Sequence, residues 1–134
     1  MLSRRLHDFL PGLICLALLL AGCASLWPAH KEAGTLAAHV VYISDEYANI
    51  NTDLSQQSLA AAGITHGSTF QARLREQRIE VMLGKGYKDV ERGEWIGLIE
   101  EDGSLQIAIS FGHAATVLEC AVGDTLVITP IQHP

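Results

Sequence analysis

The side chains in this 134-residue sequence with the most chemistry to offer are Cys23, Asn49, the acidic run Glu100-Glu101-Asp102, the histidines His39, His66 and His113, and Cys120. Cys23 follows Leu20-Ala21-Gly22. Small residues beside it leave its thiol open to covalent modification. Asn49 holds an amide that donates and accepts at once, which suits the edge of a purine and equally suits capping its own backbone. Carboxylates at Glu100, Glu101 and Asp102 could ligate a divalent cation. They precede Gly103 in a turn, however, where acids are ordinarily solvated, so no metal is expected. The three histidines lack the spacing of a helix-borne ligand pair and are expected at the surface or hydrogen-bonded. Ser44, Asp45 and His113 would make a hydrolytic set only if the fold united them, and nothing in the sequence does. Cys120 sits in Val117-Leu118-Glu119-Cys120-Ala121-Val122 and is expected to be a small buried apolar group. There is no glycine-rich phosphate loop and no Gly-x-Ser-x-Gly elbow, so no cofactor is expected.

The first 22 residues have the layout of an export signal: Arg4 and Arg5, the apolar run Leu13 to Leu20, then Ala21 and Gly22. That run is too short for a membrane-spanning helix, which needs roughly 20 apolar residues. With Cys23, the tetrapeptide resembles the bacterial lipobox. It predicts a protein held in the membrane by acyl chains, each buried methylene contributing about 0.8 kcal/mol. Ala24 rather than Asp after the cysteine points to the outer membrane, facing the periplasm. Of nine basic and 15 acidic residues, the signal holds Arg4, Arg5 and Asp8, leaving seven against 14 and a formal charge of −7. An acidic surface of this kind excludes nucleic acid and anionic lipid as the main partner. Cys15 leaves with the signal and Cys23 is lipidated, so Cys120 has no disulfide partner within the chain.

The elements that must position these groups are short. Residues 23–34, with Ser25, Pro28 and Gly34, read as a flexible tether, and 35–134 as one domain. Strands are predicted over Leu36–Ile43, Tyr47–Leu54, Ser68–Leu74, Arg78–Leu83, Trp95–Ile99, Leu105–Ile109 and Thr125–Thr129, from β-branched content and alternation. Ser55 is placed to cap a short helix ended by Gly63, and a second helix is predicted near His113–Leu118. Gly84, Gly86 and Gly93 bracket a loop that contains Tyr87 and is followed by Trp95, and these two read either as core aromatics or as a stacking wall. The sum is a mainly β chain: a small antiparallel β-barrel with one or two short helices.

Several blocks carry a resemblance in order and spacing. Asp45-Glu46-Tyr47-Ala48-Asn49-Ile50-Asn51-Thr52-Asp53-Leu54 is similar to the Asp-x-Phe-Gly-Asn-x-x-Thr-Asn-Ile segment that opens the C-terminal domain of S-adenosylmethionine hydroxide adenosyltransferases, relatives of the fluorinating and chlorinating halogenases. Tyr87-Lys88-Asp89-Val90-Glu91-Arg92-Gly93-Glu94 resembles that family's Tyr-x-Asp-Val-x-x-Gly-Glu loop. Ile107 to Ala115 resembles its Ile-Ala-x-Asn-x-Gly-Asn-Ala-Ala block, and Gly123-Asp124 its last turn. The resemblance implies the family's small β-barrel, which supplies the adenine side of a site at a trimer interface, while the hydroxide-activating Asp belongs to a larger N-terminal domain. It implies Asn49 as the residue that reaches adenine, with Tyr47, Ser110 and Phe111 as neighbouring candidates. Glu101 and Ser110 stand where the family has Ser and Asn, and Asp102 and Ile109 where halogenases have Arg. The expectation is therefore a lipid-anchored, non-catalytic binding or interaction module, self-associating as a homotrimer or docking a protein partner. Alternatives are a purine-nucleoside-binding protein or an accessory subunit of an S-adenosylmethionine-hydrolysing enzyme.

Overall fold

The computed structural model describes residues 34–132. The export signal, Cys23 and nearly all of the tether lie outside them. Seven strands, β1 (Leu36–Ile43), β2 (Ile50–Ser55), β3 (Thr69–Leu74), β4 (Gln77–Leu83), β5 (Trp95–Ile99), β6 (Ser104–Ile109) and β7 (Thr125–Pro130), close a barrel in the order β1-β2-β6-β5-β4-β3-β7. Helix α1 (Gln56–Ala61) follows β2, α2 (Ala114–Leu118) follows β6, and a single 3-10 turn, Tyr87–Asp89, lies between β4 and β5. No helix among the described residues is long and apolar enough to cross a membrane.

Alternation decides which face goes inside. Phe70, Ala72 and Leu74 of β3 are buried while Thr69, Gln71 and Arg73 are half-buried, and Ile50, Thr52 and Leu54 of β2 are buried in the same way. These side chains meet Ile107, Leu105, Leu126 and Ile128 in one core. Thr52 can sit there because its hydroxyl donates to the Leu105 carbonyl at 2.8 Å. Gly97 makes room for the largest core side chain: a Cβ in its place would lie 3.3 Å from the Phe70 ring and 3.2 Å from Leu105. Ser55 caps α1, accepting from the Ser58 amide at 3.1 Å.

Most strand pairings are antiparallel, but β4 and β5 run parallel, with Met82 opposite Ile96 and Leu83 opposite Gly97. Parallel neighbours need a crossover that returns the chain to the same end. Residues 84–94 make that crossover and lie over the outer face of β5 and β6, where Val90 packs on Ile96, Leu98 and Ala108. Strands β5 and β6 are consequently buried on both faces.

Several boundaries shift by a residue or so from the sequence reading, and two of the differences have a visible cause. The second strand starts at Ile50 rather than Tyr47, because Ala48 adopts a positive φ of 50° and its amide bonds back to the Ser44 carbonyl at 2.9 Å. The β3–β4 hairpin turns on Arg75-Glu76 alone, with Leu74 paired to Gln77. Arg75 takes φ 52°, as a two-residue hairpin turn requires of its first residue. Its guanidinium reaches the Glu119 carbonyl at 3.3 Å and the Asp124 carboxylate at 3.2 Å, tying that turn to the loop after α2.

Cys120 lies inside, as its apolar neighbours suggest, and is 9% exposed. Burial first, and then the Asp124 charge, push its thiol up from an ordinary 9.0 to about 11. The unfolded chain thus loses this proton at a lower pH than the native one, so stability falls as pH rises from about 9 toward 11. Iodoacetamide labelling mapped at Cys120 is predicted to be at least roughly tenfold slower in the native protein than in denaturant at about pH 8.5, because the thiolate is the nucleophile; equal rates would contradict a buried thiol.

Candidate functional site

Three segments converge beside α2. The turn 44–49 brings Tyr47 and Asn49, the crossover brings Tyr87 and Arg92, and the end of β6 brings Ile109 to His113, enclosing an open cleft of about 560 Å³. That volume is within the usual range for a small-molecule site. The four candidates Tyr47, Asn49, Ser110 and Phe111 all line it. Tyr47, Tyr87 and Phe111 are 56%, 42% and 79% exposed, an unusual concentration of accessible rings in a chain with only three tyrosines and three phenylalanines. Tyr87 thus belongs to the wall, whereas Trp95 packs half-buried against the core.

Backbone strain gathers at the same place. Of the four non-glycine residues with positive φ among the described residues, Phe111 lines the cleft, at 57°, and Ala48 lies between Tyr47 and Asn49, which line it. A bulky residue in that region costs on the order of 1–3 kcal/mol and persists only where its surroundings impose it. Here the Gly112 amide donates to the Ile109 carbonyl at 3.1 Å, closing a turn through Ser110 and Phe111. Gly112 admits nothing larger, since a Cβ would lie 2.5 Å from Ile109 Cγ2. Ser110 is clamped on both sides: its amide donates to the Glu94 carbonyl at 2.9 Å, and its carbonyl accepts from the Gly93 amide at 2.8 Å. This pairing sets Arg92 beside Phe111, with the guanidinium carbon 4.5 Å from the ring centroid.

At the cleft floor Asn49 is 6% exposed. Its amide does not cap its own backbone. Nδ2 donates to Tyr87 Oη at 2.9 Å and to Gln106 Oε1 at 3.2 Å, Gln106 Nε2 donates to Asn51 Oδ1 at 2.9 Å, and Asn51 Nδ2 donates to the Asn49 carbonyl at 3.4 Å. The last acceptor fixes the rest. A backbone carbonyl can only accept, so Asn51 must turn its NH2 toward it and its oxygen toward Gln106. Gln106 must then present its oxygen to Asn49, and Asn49 its NH2. Both amide hydrogens of Asn49 are therefore committed within the protein. Oδ1 has no partner among the described residues, yet only Thr35 Oγ1 is both fully buried and unpartnered there, so Asn49 Oδ1 is reached by solvent. The Asn49 side chain therefore offers the cleft an acceptor alone, beside the Ser110 hydroxyl, which can donate or accept.

A second, polar cleft of about 440 Å³ is lined by Val41, Tyr42, Asn51, Glu100, Glu101, Asp102 and Ser104. The Asp102 carboxyl accepts from the Ser104 hydroxyl and amide, which hold it below the usual carboxylate range. No group of three acidic, histidine or cysteine side chains among the described residues is arranged to hold a metal. Ser44 and His113 are not joined as a hydrolytic pair; the Ser44 hydroxyl accepts from the Asn49 amide at 2.9 Å. His66 and His113 are exposed, and His39 pairs with Asp53 at 2.9 Å on the surface. The sequence reading missed the roles of Arg92 and Gln106. Gln106 left a signal, being the one polar residue in the run Leu105–Ile109.

A family model described as the SAM hydroxide adenosyltransferase C-terminal domain, SAM being S-adenosylmethionine, matches residues 38–127. Among solved structures, an uncharacterized conserved protein from Thermotoga maritima aligns with a TM-score of 0.69 and 22% identity, covering 73% of this chain and 37% of that one. A conserved hypothetical protein from Thermus thermophilus aligns with a TM-score of 0.48 and 16% identity, over 69% of this chain and 34% of that one. The chain thus spans little more than a third of the length of these structures, and the first of them supports the barrel fold. No curated protein matches the sequence.

The amide chain predicts an order of stabilities. Gln106→Leu strands the Asn49 NH2 and Asn51 Oδ1 together and is expected to cost about 1–3 kcal/mol in urea unfolding. Tyr87→Phe removes a hydroxyl at a half-exposed position, where water can replace it, and should cost less than about 1 kcal/mol. The reverse order would break the assigned chain.

Proposed function

The chain belongs to the family of the SAM hydroxide adenosyltransferase C-terminal domain, and on that premise we propose that it is a lipid-anchored, non-catalytic binding module whose aromatic cleft takes a purine nucleoside. The observation that carries this reading is the cleft itself: an acceptor-only amide, Asn49, below three accessible rings. Aromatic rings give a planar base a stacking surface worth about 1–3 kcal/mol per base. Asn49 Oδ1 then selects a base edge that donates, such as an exocyclic amine. The non-catalytic part is supported by the matched domain being the C-terminal one, since the resemblance assigns hydroxide activation to an Asp of the N-terminal domain. Anchoring is supported by Leu20-Ala21-Gly22-Cys23 behind a short apolar run. The acidic balance left after the signal is cut agrees with a small-molecule or protein partner rather than nucleic acid.

Calorimetry is expected to give micromolar binding of adenosine and roughly tenfold or weaker binding of inosine, whose carbonyl would face Asn49 Oδ1 in place of the amine. Absence of heat at millimolar adenosine would end the purine reading. For the anchor, metabolic labelling with palmitate is expected to mark the wild-type chain in the membrane fraction, and Cys23→Ser is expected to lose the label. A labelled C23S protein would refute lipidation at this residue.

A further inference from the structure

Charge divides the two clefts unevenly. The chain has 15 acidic and nine basic side chains, yet no carboxylate lines the aromatic cleft, which holds Arg92 and His113. The polar cleft is the reverse, with Glu100, Glu101 and Asp102 and no basic residue. The acids nearest Arg92 in the chain, Glu91 and Glu94, lie outside the lining, and one Glu94 oxygen is occupied by the Glu91 amide at 2.9 Å.

Arg92 has a specific geometry. Its guanidinium stands 4.5 Å from the Phe111 centroid, and among the described residues it makes no ion pair and no hydrogen bond. The ring is an uncharged neighbour that takes up none of the guanidinium's acceptor-seeking N–H groups by hydrogen bonding to oxygen, so these donors remain free for a bidentate oxyanion. Phe111 is kept in this position by a strained φ of 57° and by the backbone bonds that join Ser110 to Gly93 and Glu94. From this we infer that the ligand of the aromatic cleft carries an oxyanion as well as a planar ring, and that Arg92 is the residue that reads it; a nucleoside monophosphate has both parts. The inference rests on the purine reading for the ring and adds the anion independently. Phosphate at Arg92 and base over Asn49 would share one cleft, which Phe111 and Tyr87 also line.

The test is calorimetry on the whole chain with adenosine, AMP and phenyl phosphate. Charge-assisted bonds to a guanidinium are expected to make AMP bind on the order of tenfold more tightly than adenosine at low salt, an advantage that shrinks as salt is raised. Arg92→Gln should bring the AMP-to-adenosine ratio close to one. Arg92 is exposed, so the variant's fold is checked by an unchanged far-ultraviolet spectrum. Equal or weaker binding of AMP than of adenosine overturns the inference and leaves the purine reading standing. Binding of phenyl phosphate that is lost in R92Q, with adenosine silent, does the opposite: the oxyanion site stands and the purine reading falls. Silence from all three compounds overturns both.

Discussion

Because β5 enters the barrel parallel to β4, the chain cannot turn back on itself after Leu83 and must cross the outside of the sheet before Trp95. Everything distinctive about the cleft depends on that path. The crossover lays Val90 on Ile96 and Leu98, which removes β5 and β6 from water on their outer face. It carries Tyr87 to within 2.9 Å of Asn49, though the two are 38 residues apart in sequence. Its last residues extend the β5–β6 ladder through Gly93 and Ser110, which fixes Arg92 against Phe111. A two-residue hairpin at this point would have produced an antiparallel sheet and no wall for the cleft.

Burial of a polar residue is tolerated only where its hydrogen bonds are replaced. Asn49 and Gln106 meet that demand in each other, in Asn51 and in Tyr87. Gln106 and Asn51 are direct cross-strand partners in the β2–β6 register, so sheet pairing brings two of the four groups together before any side-chain choice is made. The direction of the chain is then inherited from one backbone carbonyl. A network satisfied in this way is rigid, and its rigidity has a chemical result: Asn49 presents an acceptor to the cleft and withholds its donors.

The same fold separates two kinds of surface. One cleft gathers rings and the Arg92 guanidinium, and the other gathers carboxylates around Tyr42 and Asn51. Asn51 lines the second cleft while its amide belongs to the chain that ends at Asn49 in the first. The strain at Ala48 and Phe111 falls on the first cleft alone, and strained backbone is kept where its surroundings over-determine it.

The barrel's strands, its short helices and its apolar face are legible in the order of residues alone, because burial on a pleated sheet repeats every two residues and shows in Phe70-x-Ala72-x-Leu74 and Ile50-x-Thr52-x-Leu54. The apolar neighbours of Cys120 likewise place it inside. Order and spacing of motifs are enough to bring Tyr47, Asn49, Ser110 and Phe111 forward as candidates. Chain closure in three dimensions was needed to establish that β4 and β5 run parallel, that the second strand waits until Ile50, and that Asn49 commits both hydrogens to Tyr87 and Gln106. Local periodicity records which face of an element is buried; it carries no record of which distant segment covers it. Arg92 on Phe111 and Gln106 on Asn49 are contacts between residues far apart in the chain, so they exist only once the barrel has closed.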